Sequence, residues 1–145
     1  MSGQDQSLKL FVVLSKAYKF VMDRAVKDMK RNGLSATEFS VMELLYHKGR
    51  TPLQRIGDKI LITSGSITYT VDKLEQKGYI RRVSSPDDRR VTYAEMTPLG
   101  TELFDRIFPE HAKVIDVIMG ELTAEEKQAA IALLKKIGYK AAETR

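Results

Sequence analysis

The 145-residue chain contains no cysteine, which excludes disulfides, thiolate metal sites, a cysteine nucleophile and thiol redox sensing together. Its two histidines, His47 and His111, are far apart in sequence, and no H-E-x-x-H, phosphate-cradling glycine loop or G-x-S-x-G occurs. Glu125 and Glu126 adjoin, but neighbours on a helix point about 100° apart, which suits helix capping better than acid–base work. The expectation is a non-enzyme that needs no cofactor and no metal. No segment approaches the roughly 20 apolar residues that span a bilayer, and MSGQDQSLKLFVVL has no basic region ahead of its short apolar run. A cytoplasmic protein with no membrane partner is expected. Repeats and low-complexity segments are absent too, and the length fits a single domain, 1–145, with a real hydrophobic core.

What is present is charge, unevenly placed. The formal net charge is +5. Residues 48–93 hold ten Lys/Arg against five Asp/Glu, while the remaining residues carry fourteen of each sign. The whole excess therefore sits in the middle third, which points to a polyanionic partner, with nucleic acid first and an acidic membrane surface second.

Periodicity organises the rest into a mainly α chain. Leu8, Phe11, Leu14, Tyr18, Val21, Met22, Ala25 and Met29 recur every three or four positions, opposite Lys9, Lys16, Lys19 and Asp23, as in an amphipathic helix stopped by Asn32-Gly33. Ser35 and Glu38 have capping-box spacing ahead of a second helix carrying Phe39, Met42, Leu45 and Tyr46 inward. Thr51 as cap, Pro52 at the first helical position and Gln54 closing a box predict a third, short helix to about Ile60. A turn at Thr63 to Gly65 precedes a fourth, with Ile67, Val71 and Leu74 inward and Gly78 ending it. Together these make a helix-turn-helix. The β-branched, alternating YIRRV (79–83) and VTYAEM (91–96) predict a hairpin, a wing with SSPDDRR at its tip. Thr97-Pro98 then opens a long helix that Pro109 is expected to kink, and Thr123 with Glu126 opens the last.

A winged helix-turn-helix offers a helix for the major groove and a hairpin for phosphates and the adjacent minor groove. An isolated Asp-Asp-Arg-Arg tip would be read as a solvated turn. Beside a helix-turn-helix, Asp88 is placed to hold Arg90 extended by charge-assisted hydrogen bonds, aiming it before DNA arrives. On the fourth helix Ser64, Gly65, Ser66, Thr68, Tyr69, Asp72 and Lys73 are expected to face outward. The small hydroxyls suit phosphate contact or capping, and Thr68 and Tyr69 suit base or sugar contact. Lys48, Arg50, Lys59, Lys73, Lys77, Arg81 and Arg82 are placed for phosphates, with Arg89 and Arg90 at the tip.

GSITYTVDKLEQKGYIRR, the wing SPDDRR and the following MTPLG resemble, in order and spacing, the MarR family of bacterial transcription regulators, over nearly the whole chain. LLYHKG, PLQRIGDKIL and SGSITY are similar to its MhqR-type branch, whose members respond to quinone-like or phenolic compounds. The resemblance implies that Arg90 enters the minor groove, that Asp88 orients it, and that residues 64–77 lie in the major groove. Many members carry Arg where this chain has Tyr69, so any base contact of that arginine does not transfer.

The terminal segments hold more apolar helix face than a winged helix of about 60 residues can cover. The resemblance implies that residues 5–31 and 98–145 form a homodimer around the 34–97 DNA-binding region, placing two recognition helices about 34 Å apart on a pseudo-palindromic site. It also implies a small aromatic ligand, for which Phe11, Tyr18, Phe39, Tyr46, His47 and His111 are the candidates, although core packing explains any one of them as well. Without cysteine, a quinone response has to be non-covalent. An effector-independent regulator and an anionic-surface binding module remain alternatives. The latter would want a basic amphipathic helix, whereas the basic residues here fall on short helices and a hairpin.

Overall fold

A computed structural model describes residues 2–60 and 66–144, which divide into two units, 1–111 and 112–145. In the first unit α1 (Gly3–Arg31) begins earlier than its apolar repeat suggests. Ser2 and Asp5 form a reciprocal capping box that satisfies the first backbone N–H groups. α2 (Ala36–Lys48) starts at the expected Ser35–Glu38 box and stops at Gly49.

The next segment departs from expectation. Thr51 does not cap a helix, and its hydroxyl donates instead to the Gly49 carbonyl at 2.9 Å. Thr51–Pro52 is a short strand, β1, antiparallel to β3 (Thr92–Met96) through Thr51↔Ala94 and Pro52↔Tyr93. α3 (Leu53–Lys59) follows with Pro52 at its N-cap position and no side-chain cap. Pro52 has no N–H to give a ladder, and it sits on an edge strand where none is required.

The expected turn at Thr63 to Gly65 lies outside the described residues. α4 (Ile67–Gln76) is capped by Ser66, and Gly78 takes the positive φ of +81° that ends it. β2 (Ile80–Ser84) pairs with β3 from Ile80↔Met96 to Ser84↔Thr92, giving the sheet order β1-β3-β2. Phe39, Met42, Ile56, Val71, Leu74, Ile80 and Phe104 are fully buried and define one core shared by α2, α3, α4, β2 and the long helix α5 (Pro98–Ile118). α5 runs as continuous helix through Pro109.

A tight junction joins α4 to α5. The Thr97 hydroxyl donates to the Gly78 carbonyl at 2.6 Å and accepts from the Gly100 N–H at 3.1 Å, and the Thr97 N–H donates to the Tyr79 carbonyl at 3.0 Å. A Cβ at Gly100 would lie 2.1 Å from that same Tyr79 oxygen, so only glycine fits.

The second unit holds the end of α5 and α6 (Ala124–Glu143), opened by the expected Thr123–Glu126 box. No described residue of α6 is buried, and Leu133, Leu134 and Tyr139 are among its exposed residues. In the first unit the N-terminal half of α1 is likewise uncovered, with Phe11 67% and Tyr18 61% exposed, while Ala25, Asp28 and Met29 are buried. Among the described residues no helix is long and apolar enough to cross a membrane.

Candidate nucleic-acid interface

α4 presents the polar face that its pattern predicts. Val71 and Leu74 anchor it in the core, and Ser66, Thr68, Tyr69 and Lys73 are exposed. The Ser66 hydroxyl accepts from the Tyr69 N–H at 3.3 Å, so it acts as cap. Tyr69 is held from one side, since the Lys73 ammonium lies 5.3 Å from its ring centroid, a cation–π distance that stiffens both side chains on the exposed face. Ser64 and Gly65 lie outside the described residues.

At the hairpin tip the Ser85 N–H donates to the Val91 carbonyl, and the Val91 N–H to the Asp88 carbonyl, each at 3.0 Å, closing a compact loop. The Ser85 hydroxyl accepts from the N–H groups of Asp87 and Asp88 at 3.3 Å, which fixes the Asp88 backbone. Asp88 then grips Arg90 three ways. It accepts from the Arg90 backbone N–H at 3.0 Å, from Nε at 3.1 Å and from Nη2 at 3.2 Å. The guanidinium holds the Asp88 carboxyl below its ordinary range, with the backbone N–H adding to the effect. Arg90 itself is 90% exposed, so the clamp holds the guanidinium without hiding it. Arg89 is exposed beside it.

The cations expected to face phosphate divide into two sets. Lys77 Nζ lies 2.7 Å from the Glu38 carboxylate. Glu38 also closes the cap of α2, and although its burial pushes its carboxyl up, Lys77 and the Ser35 N–H outweigh that and hold it below the usual value. Glu95 on β3 accepts from Arg81 at 2.8 Å and from Arg50 at 3.2 Å, and these guanidiniums, Arg81 first, lower its carboxyl. Arg82 donates to both Asp72 and Glu75, and the Asp72 bond above all raises its own affinity for the proton. Asp72, expected to face outward, is thus half-buried and paired. Lys48, Lys59, Lys73 and Arg89 form no ion pair among the described residues, and neither does Arg55, which is not among the cations expected at phosphate.

Of the aromatic ligand candidates, Phe39, Tyr46, His47 and His111 come together with Phe104 and Phe108 in one cluster, at ring-centroid separations from 4.5 Å for Phe39–His111 to 6.3 Å for Phe108–His111. Phe11 and Tyr18 stand apart on the exposed half of α1. Polar groups edge the cluster. Tyr46 donates to Asp105 at 2.5 Å, a bond that raises the phenol's pKa, and His111 Nδ1 lies 2.9 Å from Asp28 Oδ2. Asp28 is 1% exposed and also accepts from Arg31 at 3.1 Å. Asp28, Asp105, Phe104 and Phe108 are absent from the site that the sequence suggests. The α1 repeat hinted at the first, because position 28 falls between the inward-facing Ala25 and Met29.

Residues 34–92 match the model of the MarR family. The HTH-type transcriptional regulator MhqR of Bacillus subtilis (strain 168) is 53% identical over 137 residues, covering 94% of each chain. Sco3205 from Streptomyces coelicolor, a MarR family transcriptional regulator solved in complex with DNA, superposes with a TM-score of 0.83 at 19% identity, over 97% of this chain and 93% of its own. BpsR of Bordetella bronchiseptica, whose DNA binding is regulated by 6-hydroxynicotinic acid, gives 0.75 at 22% identity, over 87% and 90%. These two structural likenesses speak for the fold alone. With a relative more than half identical along nearly its whole length, the chain belongs to the MarR family and is a DNA-binding transcriptional regulator of that type.

Proposed function

We propose that the chain is a homodimeric repressor that reads a pseudo-palindromic site in double-stranded DNA and is released by a small phenolic or quinone-like compound. The observation that carries the DNA reading is the Asp88–Arg90 clamp, because a carboxylate that ties down an exposed arginine at a hairpin tip serves no packing purpose. In this reading Arg90 enters the minor groove with Arg89 beside it, Thr68 and Tyr69 meet base edges or sugar, and Ser64, Gly65, Ser66 and Lys73 lie along the phosphates. Residues 34–97 do the reading, and residues 5–31 and 98–145 join the two subunits. The uncovered apolar faces of α1 and α6 support the dimer, since soluble chains rarely leave such faces to water.

Phe39, Phe104 and His111 of the aromatic cluster are buried in the core, so a flat, hydroxyl-bearing ligand would meet its open edge, where Tyr46 and Phe108 are half-buried and His47 is exposed. Phe11 and Tyr18 would join it only across the dimer. The likeness to the MhqR-type branch favours the phenolic or quinone class, and BpsR is a fold relative whose DNA binding answers to a hydroxylated aromatic acid. The absence of cysteine makes such binding reversible.

Selecting duplexes from a random pool tests the whole reading. A pseudo-palindrome should emerge, light scattering should give a dimer at micromolar concentration, and a panel of hydroquinones and benzoquinones should release the selected duplex and lose effect on dialysis. A monomer sinks the two-fold model. A selected site that no member of the panel releases leaves an effector-independent regulator, and preferential binding to anionic vesicles would replace DNA as the partner.

A further inference from the structure

Asp72 and Glu75 stand one turn apart on the helix proposed to face a polyanion, where each carboxylate repels phosphate. Both end on one guanidinium. Arg82 donates through Nη2 to Asp72 at 2.5 Å and through Nη1 to Glu75 at 2.6 Å, and its backbone N–H donates to the second Glu75 oxygen at 3.3 Å. The Arg82 side chain is 28% exposed while Asp72 and Glu75 are 49% and 41% exposed, so the fork is only partly shielded and its weight lies in geometry rather than in charge. Arg82 lies in β2, the strand that runs on to the hairpin tip, and its partner across the ladder is the buried Ala94. One side chain thus ties the recognition helix to the strand that carries the wing.

We propose that Arg82 is a positioning residue, which through Asp72 and Glu75 sets the angle between α4 and the wing so that both reach their grooves together. This rests on the DNA reading above. Arg82 is not one of the phosphate contacts that its charge suggests. The job needs arginine, because a planar fork can serve two carboxylates at once, whereas lysine offers a single point charge. Specific binding requires both tools in register. Non-specific binding needs only positive charge near phosphate. Loss of the triad therefore lowers specificity and leaves the salt dependence alone.

The test compares the wild-type protein with Arg82→Ala, Arg82→Lys and the double variant Asp72→Asn/Glu75→Gln. Fluorescence anisotropy is measured across a salt series on a duplex selected from a random pool by the wild-type protein, and on the same bases in scrambled order. All three variants should lose about tenfold on the selected duplex, Arg82→Lys the least, comparable to spoiling a base contact. Affinity for the scrambled duplex should hold for Arg82→Lys and hold or rise for the double variant, and the log–log salt slope should hold in both. The double variant decides, because it removes two negative charges per subunit from the DNA-facing helix and yet should bind the selected site more weakly. If Arg82 contacts phosphate instead, Arg82→Ala weakens both duplexes alike, the slope falls by about 0.9 per subunit, and the double variant binds both more tightly. That pattern overturns the proposal. Should thermal melting show Arg82→Ala unfolded, the same comparison is made with Arg82→Lys and with the double variant, which keeps side-chain shape at both positions. A wild-type protein that selects no duplex at all overturns the DNA reading itself, and this inference with it.

Discussion

Replacing Asp88 by alanine separates an aimed arginine from a charged turn. The substitution removes three hydrogen bonds from Arg90, two to its guanidinium and one to its backbone N–H, and it removes one negative charge from the proposed DNA face. The two losses act in opposite directions. An arginine gives up as much as ~2 kcal/mol of rotamer freedom when its guanidinium is fixed. A two-point grip that removes about half of that beforehand favours binding about fivefold per wing, and about thirtyfold over the two wings of a dimer. Against this, losing a carboxylate near phosphate strengthens binding, mostly at low salt. Anisotropy titrations near physiological ionic strength should show weaker binding of Asp88→Ala to its selected site, with scrambled DNA bound equally well or better. The double-mutant cycle completes the assay. Once Arg90 is alanine, removing Asp88 should cost almost nothing. Tighter specific binding by Asp88→Ala, with no coupling to Arg90, refutes the reasoning.

Since Arg50, Lys77, Arg81 and Arg82 are engaged within the chain, Lys48, Lys59 and Lys73 remain of the seven cations placed for phosphate, and a dimer should show a log–log salt slope of about −5; a slope beyond about −9, more than these three with Arg55 and Arg89 can give, would mean that the internal pairs open on DNA. His111→Ala leaves the buried Asp28 with Arg31 alone and should cost about 3 kcal/mol, read as a melting point lower by roughly 6–12 °C, part of it recovered when Asp28→Asn is added. Glu38 and Glu95 have folded pKa values below the ordinary 4.5, so the stability they contribute is complete above that value and lost as the pH falls through the lower folded ones. Urea midpoints should therefore hold from neutrality to about pH 5 and then drop, less steeply for Glu38→Gln. Gly100→Ala forces a methyl against the Tyr79 carbonyl and should lower the melting point more than Gly33→Ala, where the added methyl meets nothing and only the positive φ is strained.

Local chemistry was legible in the sequence and long-range pairing was not. The Ser35–Glu38 and Thr123–Glu126 boxes are interactions over three residues, and both helices start where the spacing puts them. The wing was readable for the same reason, because Asp88 and Arg90 are two residues apart. Thr51-Pro52 misled because a cap followed by proline is a good helix opening, and only the return of β3, some forty residues later, makes it an edge strand. Asp28 meets His111 across 83 positions, which no periodicity encodes. Counting charges along the chain treats every arginine as available. The hairpin folds Arg81 and Arg82 back onto Glu95, Asp72 and Glu75, and the count changes. The apolar surplus on α1 and α6 was visible early, because excess hydrophobic face survives any arrangement of one chain.

The junction at Thr97 and Gly100 has a mechanical consequence. Gly78 and Tyr79 follow directly on α4, Thr97 follows on β3, Gly100 begins α5, and the four meet through short bonds and a backbone contact that admits no side chain. There is no slack loop at this point to absorb displacement. A push on the start of α5 is therefore delivered to the foot of the hairpin and the end of α4 together, as a lever passes motion through a welded joint. Bending has to be taken up elsewhere, and the amides of Tyr79, Thr97 and Gly100 should exchange with solvent as slowly as those of the core.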